Sequence, residues 1–354
     1  MSVKHHGVRF YHRRRGVSAW LLSGADLSCW FSSEEKELRY FSLLLGFCLS
    51  LPVAAIQVTV TIPPLAGMIQ PYLTDEDELV VLLEPGASPH GFQFRPSHLV
   101  ALQHADLLLT LGNSVDTWIE KPLKQRLSEA QAAGQAIRVI AMQKLPGLVV
   151  FPRSTRQQRH LSNQSVTDEQ DHHEHEHEHE HEQEALDPHI WLSIANARLM
   201  VSAIAAQLTR LQPDRATEIA AITQQLQADY QRLDQQMTDW LAPVRQQPYL
   251  LLHDGYQYFE QAYGLQHLGV VQVSDELKPS IKQVLALRKI IQSTGARCVF
   301  KEPQFSDRQL HYIIQGLAVE VGELDPLGQG QLDYRQLMRQ MAQAVVQCLQ
   351  PSPK

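Results

Sequence analysis

The chain has 354 residues, 44% of them hydrophobic, which is enough for one large or two medium α/β domains with a sizeable core. The formal net charge is −7 at pH 7, and the segment 168–187 alone holds ten carboxylates and no Lys or Arg. This composition indicates neither a disordered nor a polytopic membrane protein, and the lack of a basic face argues against nucleic-acid binding.

Near the start, residues 41–55 form an apolar run that is too short to span a bilayer and ends in small residues. With Arg39 as its charged flank, this run matches a secretory signal. We therefore expect residues 1–55 to be a signal peptide and the mature protein to be soluble in the periplasm. The stretch before the run is long and irregular for a signal, which indicates a misassigned start codon, with translation beginning near Leu38. A genuine N-terminal extension is the alternative.

Downstream, short apolar runs alternate with amphipathic stretches, which is the pattern of parallel βαβ units. Four strands are predicted in each half, at 58–62, 79–83, 106–111, 137–141, 249–252, 268–273, 298–301 and 321–324. Helices are predicted between them, for example at 97–103, 117–132, 280–292 and 307–320. The sequence thus predicts an α/β fold with two lobes, each a four-stranded, largely parallel sheet flanked by helices, joined by one long rigid helix.

The connection between the halves is predicted to be helical. Residues 194–211 show helical periodicity and stop before Pro213, and a second helical segment follows at about 215–241. We predict an N-terminal metal-binding lobe at 56–190, a connecting helix at 191–212 and a C-terminal lobe at 213–354. Because a helix between lobes is stiff, large hinge motions should be limited.

The segment 145–186 has no apolar periodicity and is far longer than ordinary connections, so a disordered, His/Glu-rich loop is expected there. Six imidazoles among alternating carboxylates can bind several transition ions weakly, and the loop is interpreted as an accessory zinc-gathering element. A dispensable acidic loop is the alternative. The histidines are His172, His173, His175, His177, His179 and His181.

Three other histidines occupy positions where a parallel sheet places a ligand. His90 follows the second predicted strand, His253 follows the fifth, and His189 lies at the start of the connecting helix. Ligands of open α/β sheets bind beyond the carboxyl ends of the strands, and Asp325 follows the last strand at the same edge. Three neutral imidazoles with a carboxylate or water suit Zn(II) better than Mn(II) or Mg(II).

Each of these residues also has an ordinary structural interpretation. A lone loop histidine is often solvated or hydrogen-bonded, and Asp325 could cap the last helix or pair with an imidazole N–H. Glu302, at another strand end, is interpreted as a strut rather than a ligand. Two cysteines remain after the predicted signal, Cys298 and Cys348. In an oxidising compartment they are expected to form one disulfide between a C-lobe strand and the final helix, with two separate buried thiols as the alternative.

Seven short motifs extend along almost the whole mature chain, from about 58 to 349. They are G-A-S-P-H at 86–90, R-P-S at 95–97, A-D-L at 105–107, D-P-H-I-W-L at 187–192, H-D-G-Y-x-Y-F at 253–259, E-P-Q-F at 302–305 and L-D-P-L-G at 324–328. Together they resemble the zinc-specific periplasmic binding proteins of high-affinity zinc ABC importers. The combination is highly specific.

The resemblance implies a ligand set for Zn(II). His90, His189 and His253 match the three family histidines, and Asp325 matches an aspartate that completes or borders the site in some members. Manganese-type relatives place a glutamate where this chain has His253, so histidine there favours zinc. Some zinc-type members carry an extra glutamate ligand immediately before the first histidine. Pro89 stands there in this chain, so Asp325 or water must supply the fourth ligand.

The resemblance also implies a function without catalysis. The protein is expected to capture Zn(II) between its lobes and deliver it to an ABC permease in the inner membrane, which works with a cytoplasmic ATPase. A monomer is expected, with no nucleic-acid partner, and the family's disulfide agrees with Cys298–Cys348. The alternatives are a manganese- or nickel-type receptor, an adhesin of the same fold, and a zinc hydrolase. The hydrolase is disfavoured because none of the three candidate histidines lies in an H-E-x-x-H motif, and the matches to that pattern fall within the low-complexity His/Glu run at 173–181.

Overall fold

The structure is a computed structural model that describes residues 55–112, 115–134, 136–153, 186–270, 281–304, 307–330 and 333–350. The predicted signal peptide, apart from Ala55, lies outside the described residues. The same is true of the six loop histidines and of residues 154–185, the greater part of the predicted His/Glu-rich loop.

Two parallel sheets with the same strand order form the framework of the described chain. The first contains β1 (Gln57–Val60), β2 (Glu78–Val81), β3 (Leu107–Thr110) and β4 (Arg138–Ala141), in the order β2-β1-β3-β4. The second contains β5 (Tyr249–Leu251), β6 (Gly269–Val270), β7 (Cys298–Lys301) and β8 (Glu320–Glu323), in the order β6-β5-β7-β8. Every pairing between these strands is parallel. The predicted two-lobed α/β fold is therefore confirmed.

Helices flank both sheets and bury the central strands. The described helices are α1 (Pro63–Ile69), α2 (Pro96–His104), α3 (Glu120–Ala132), α4 (Ile194–Leu211), α5 (Ala216–Leu241), α6 (Gln257–Tyr263), α7 (Ile281–Thr294), α8 (Asp307–Ile314) and α9 (Tyr334–Leu349). Every residue of β3 is buried, as expected for a parallel strand covered on both faces. Short 3₁₀ turns include Pro89–Gly91 and Ile190–Leu192.

Two helices differ from the prediction for identifiable reasons. The helix predicted at 307–320 ends at Ile314, because Gly316 takes a left-handed conformation (φ 75°) that stops the helix. The short helix α1 was not predicted. All seven of its residues are buried, so it lacks the apolar–polar periodicity that reveals a surface helix.

The helix that reaches both lobes is α5, which has 26 residues. At its start, the Thr223 hydroxyl lies 3.1 Å from that of Tyr72 in the N-terminal lobe. Towards its end, Asp234 accepts a hydrogen bond from Tyr263 in the C-terminal lobe at 2.9 Å. The helix predicted at 191–212 is present as α4, but it packs on α1 and β4 of the N-terminal lobe. The helix α5 therefore reaches both lobes, and the connecting role and lobe boundaries predicted for 191–212 remain predictions.

The predicted disulfide is present between Cys298 of β7 and Cys348 of α9, with 6.0 Å between the two Cα atoms. It closes a 50-residue segment of the C-terminal lobe. One buried hydrophobic cluster extends from Ile56 to Leu349 and includes residues of both sheets and of α4 and α5. None of the described helices combines the length and apolar character that crossing a bilayer requires.

Candidate metal centre

The three histidines that the sequence singles out converge in the cleft between the lobes. One ring nitrogen from each lies within 4.8 Å of those of the other two. The ring centroids are 5.1 Å apart for His189–His253, 5.2 Å for His90–His253 and 5.7 Å for His90–His189. With Zn–N bonds of about 2.0–2.1 Å, a tetrahedral shell holds nitrogens about 3.3 Å apart. Small rotations of the rings would therefore bring them into coordinating positions.

His90 is presented by the 3₁₀ turn that follows β2. Ser88 caps this turn by accepting a hydrogen bond from the His90 backbone N–H at 3.4 Å. Pro89 occupies the first position of the turn, where its fixed φ is suited to helical geometry. Arg95 donates a hydrogen bond to Glu84 at 2.8 Å, and this ion pair connects the two ends of the segment 84–95, which contains His90. Both of these side chains are exposed, so the ion pair adds little to the stability of the fold.

Desolvation by the surrounding protein lowers the pKa of His90 to about 4, although the residue as a whole is exposed. Repulsion from the imidazoles of His189 and His253 lowers it further. The ring is therefore neutral at physiological pH, which is the protonation state that a metal ligand requires.

We expect the imidazole signals of His90 in the metal-free protein to stay constant between pH 7 and pH 5 and to titrate near pH 4, as followed by NMR. The unfolded chain takes up this proton near the ordinary value of 6.5. The free energy of unfolding should therefore fall as the pH drops from 6.5 towards 4. A midpoint near 6.5 in the folded protein would contradict the arrangement of the three rings.

His189 is held by a buried carboxylate on its own segment. Asp187 Oδ1 lies 2.7 Å from His189 Nδ1 and accepts the His189 backbone N–H at 3.0 Å. Because the carboxylate accepts, Nδ1 carries the hydrogen and Nε2 is left for a metal. With its amide oriented for hydrogen bonding, Gln257 donates to Asp187 Oδ2 at 3.0 Å. Tyr258 donates to the Asp187 carbonyl oxygen at 2.9 Å.

Within the predicted loop 145–186, the described residues on either side of 154–185 meet beside His189. Pro152 and Leu186 form an isolated antiparallel bridge, and the Asp187 N–H donates to the Phe151 carbonyl oxygen at 2.9 Å. The segment 154–185 therefore leaves and rejoins the described chain only a few residues from a candidate ligand.

His253 follows β5 and is oriented by a buried glutamate from the end of β7. Glu302 Oε1 lies 2.7 Å from His253 Nδ1 and accepts the Tyr256 hydroxyl at 2.8 Å. Burial raises the pKa of Glu302, but the attraction of His253 and the hydrogen bonds from His253 and Tyr256 outweigh it, so this pKa lies below its ordinary value. Glu302 is therefore a carboxylate that fixes the ring with Nε2 towards the cleft, as expected of a strut.

Asp325 is not brought into the group of candidate ligands, which within the described ranges consists of the three histidines. Its Oδ1 accepts the backbone N–H groups of Leu327 at 3.0 Å and Gly328 at 2.9 Å. This carboxylate shapes the turn after β8. Burial raises the pKa of Asp325, and the two backbone donors only partly offset that effect.

The three rings line a small cavity of about 20 Å³, which is room for about one water-sized occupant. Other side chains around it were not recognised as functional in the sequence. They include Trp191, whose indole N–H donates to the Pro326 carbonyl oxygen at 2.8 Å, and Gln304.

Comparison with known proteins identifies the family to which the chain belongs. A family model described as zinc-uptake complex component A, periplasmic, matches residues 58–348. The chain belongs to this family. It is 32% identical over 302 residues to the high-affinity zinc uptake system protein ZnuA of Haemophilus ducreyi, covering 84% of this chain and 94% of that protein. The ZnuA of Yersinia pestis is 30% identical over 323 residues, covering 89% and 99% respectively.

The fold comparison agrees with this membership. A crystal structure of ZnuA matches with a TM-score of 0.66 at 23% identity, covering 84% of this chain and 100% of that one. At this level of identity the likeness concerns the fold alone.

In the H-D-G part of the motif at 253–259, the glycine at position 255 is required for steric reasons. A Cβ atom on Gly255 would lie 2.9 Å from His253 Cε1 and 3.0 Å from His189 Nε2. Only glycine lets the two rings approach each other at this point. The signal in the sequence was a glycine two residues after a candidate ligand.

Proposed function

We propose that the protein is a periplasmic receptor that captures Zn(II) between its two lobes and delivers it to an ABC permease and its ATPase for high-affinity uptake. The observation that carries this proposal is the convergence of three imidazole nitrogens within 4.8 Å in the cleft. Membership of the zinc-uptake family, whose description places it in the periplasm, supports the same function.

The donor set favours zinc over harder ions. Imidazole nitrogens suit Zn(II), whereas Mn(II) and Mg(II) prefer carboxylate, carbonyl and water oxygens. The carboxylates nearest the rings, Asp187 and Glu302, are bonded to the Nδ1 atoms of His189 and His253. They support the ligands and increase their basicity instead of competing for the ion.

The three candidate ligands of the zinc ion come from different parts of the two-lobed fold. His90 belongs to the N-terminal lobe, His253 to the C-terminal lobe, and His189 to the segment just before α4. An ion shared by all three rings stabilises one relative arrangement of the lobes. The permease then recognises that arrangement, and the stiff helix α5 keeps the accompanying motion small.

A zinc hydrolase is the rival function, since three histidines and a water also describe a catalytic site. Such an enzyme needs a group that is available to accept a proton from the water. Glu302, the carboxylate that lines the cavity, already accepts from His253 and Tyr256. This engagement supports a site that binds without catalysis.

We expect protein purified from the periplasm to contain one tightly bound zinc ion per chain in addition to any weakly held ions. In chelator competition, manganese should bind this site more weakly by orders of magnitude, because all three protein donors are imidazoles. Elemental analysis combined with the competition titration measures both quantities. Protein that binds manganese as tightly as zinc, or that hydrolyses test esters and peptides in proportion to its zinc content, would contradict the proposal.

A further inference from the structure

The three histidines leave one position of a zinc shell to be filled. Protein-bound zinc is almost always four-coordinate in sites that do not catalyse. Asp325, the carboxylate predicted for this position, instead accepts two backbone N–H groups of its own turn. Within the described ranges, the group of candidate metal-binding side chains consists of the three histidines.

The side-chain amide of Gln304 lies beside the cavity of the candidate site. Its Oε1 atom is buried and has no hydrogen-bond partner among the residues for which the structure gives positions. The residue lines the same cavity as His90, His189 and His253. A buried acceptor without a partner costs about 1–3 kcal/mol, so such an atom in a binding cavity points to a donor that arrives with the ligand.

We propose that Gln304 Oε1 accepts a hydrogen bond from the water molecule that completes the zinc shell, so that the site holds the ion with three imidazoles and one water. This inference rests on the proposed zinc-binding function and specifies the fourth ligand of that site. Coordination to a divalent ion makes a water a stronger hydrogen-bond donor. The amide oxygen accepts from it without removing its proton.

The other oxygen atoms near the cavity are less suited to this role. Glu302 Oε1 already accepts from His253 and Tyr256, and Asp325 Oδ1 is held by Leu327 and Gly328. The cavity of about 20 Å³ is small, so any ligand that joins the ion there must also be small. An uncharged acceptor also keeps the water protonated, which fits a site that releases its ion instead of using a metal hydroxide.

The test compares four variants: Gln304→Ala, Gln304→Glu, Asp325→Asn, and Gln266→Ala as a matched control at an exposed glutamine of the same lobe. Zinc affinity is measured by chelator competition. The cobalt(II) form of each protein is titrated with base while its visible spectrum is recorded, because loss of a proton from a metal-bound water changes that spectrum.

Gln304→Ala is expected to lower the zinc affinity about tenfold, as for the loss of one hydrogen bond to a charged centre, while Gln266→Ala has no effect. Gln304→Glu should recover the affinity and raise the pH midpoint of the cobalt spectrum, because a carboxylate opposes deprotonation of the water. Asp325→Asn, which keeps the acceptor for its turn, should change the affinity less than Gln304→Ala.

The inference is overturned if Gln304→Ala binds zinc as tightly as Gln266→Ala, if Asp325→Asn has the larger effect, or if the cobalt spectrum shows no midpoint that Gln304→Glu shifts. His253→Ala, measured in the same assay, distinguishes failure of the zinc site from failure of the role proposed for Gln304. Unchanged affinity in that variant contradicts the zinc site itself, whereas a large loss there with no effect at Gln304 contradicts only the role of the glutamine.

Discussion

Replacing His253 with alanine is expected to lower the zinc affinity at least about a hundredfold. Structural zinc sites release about 10–16 kcal/mol on binding, and an equal share for one of four ligands is about 3 kcal/mol, or two orders of magnitude. The variant also removes the ring that Glu302 fixes through Nδ1. Chelator competition measures the affinity, and circular dichroism checks that the variant is folded.

The matched control is His104→Ala, which removes an exposed histidine at the end of α2. It should bind zinc as tightly as the unsubstituted protein. If His253→Ala also retained full affinity, the three-histidine site would have to be abandoned, because His253 is the candidate ligand from the C-terminal lobe.

Replacing Gly255 with alanine is expected to weaken zinc binding by about one to two orders of magnitude, although no ligand is removed. The added Cβ would lie about 3 Å from the rings of both His253 and His189. These rings are held by hydrogen bonds to Glu302 and Asp187, so displacement away from the added atom weakens these supporting bonds. Loss of such supporting bonds alone costs about 10–100-fold in metal affinity.

Gly269→Ala in β6 is the matched control for this steric effect. Its added Cβ would make an ordinary contact of 3.6 Å with Leu250. This variant should bind zinc normally, so that a loss confined to Gly255→Ala reports crowding of the two imidazoles. Equal affinities in the two alanine variants would show that the rings have more freedom than the structure indicates.

Much of the fold can be predicted from the sequence because parallel strands are short, continuous apolar runs. β3 illustrates this, since Leu107–Thr110 is buried throughout and stands out in the sequence for the same reason. Helix α1 could not be predicted in this way, because all of its residues are buried and its sequence therefore shows no alternation of polar and apolar faces. The sequence also reveals helices around 194–241, but only tertiary contacts show that α5 reaches both lobes.

The candidate site, like the fold, could be predicted only in part from the sequence. His90 and His253 could be predicted because the carboxyl ends of parallel strands share one edge of a sheet. Asp325 carries the same positional signal, yet its carboxylate is used by the Leu327 and Gly328 N–H groups. Position after a strand fixes the edge that a residue occupies, and not the direction of its side chain. Gln304 lies in the E-P-Q-F motif, but no role could be predicted for it, because an amide is not a usual zinc ligand and its unpartnered oxygen is visible only in the folded structure.

A crystal structure of the zinc-loaded protein, with anomalous diffraction at the zinc absorption edge, would show directly whether the three histidines bind the ion. We expect one strong peak in the cleft, bonded to ring nitrogens of His90, His189 and His253, with the Nδ1 atoms of the latter two still paired to Asp187 and Glu302. A principal peak elsewhere, with the three rings many ångströms from it, would contradict the account.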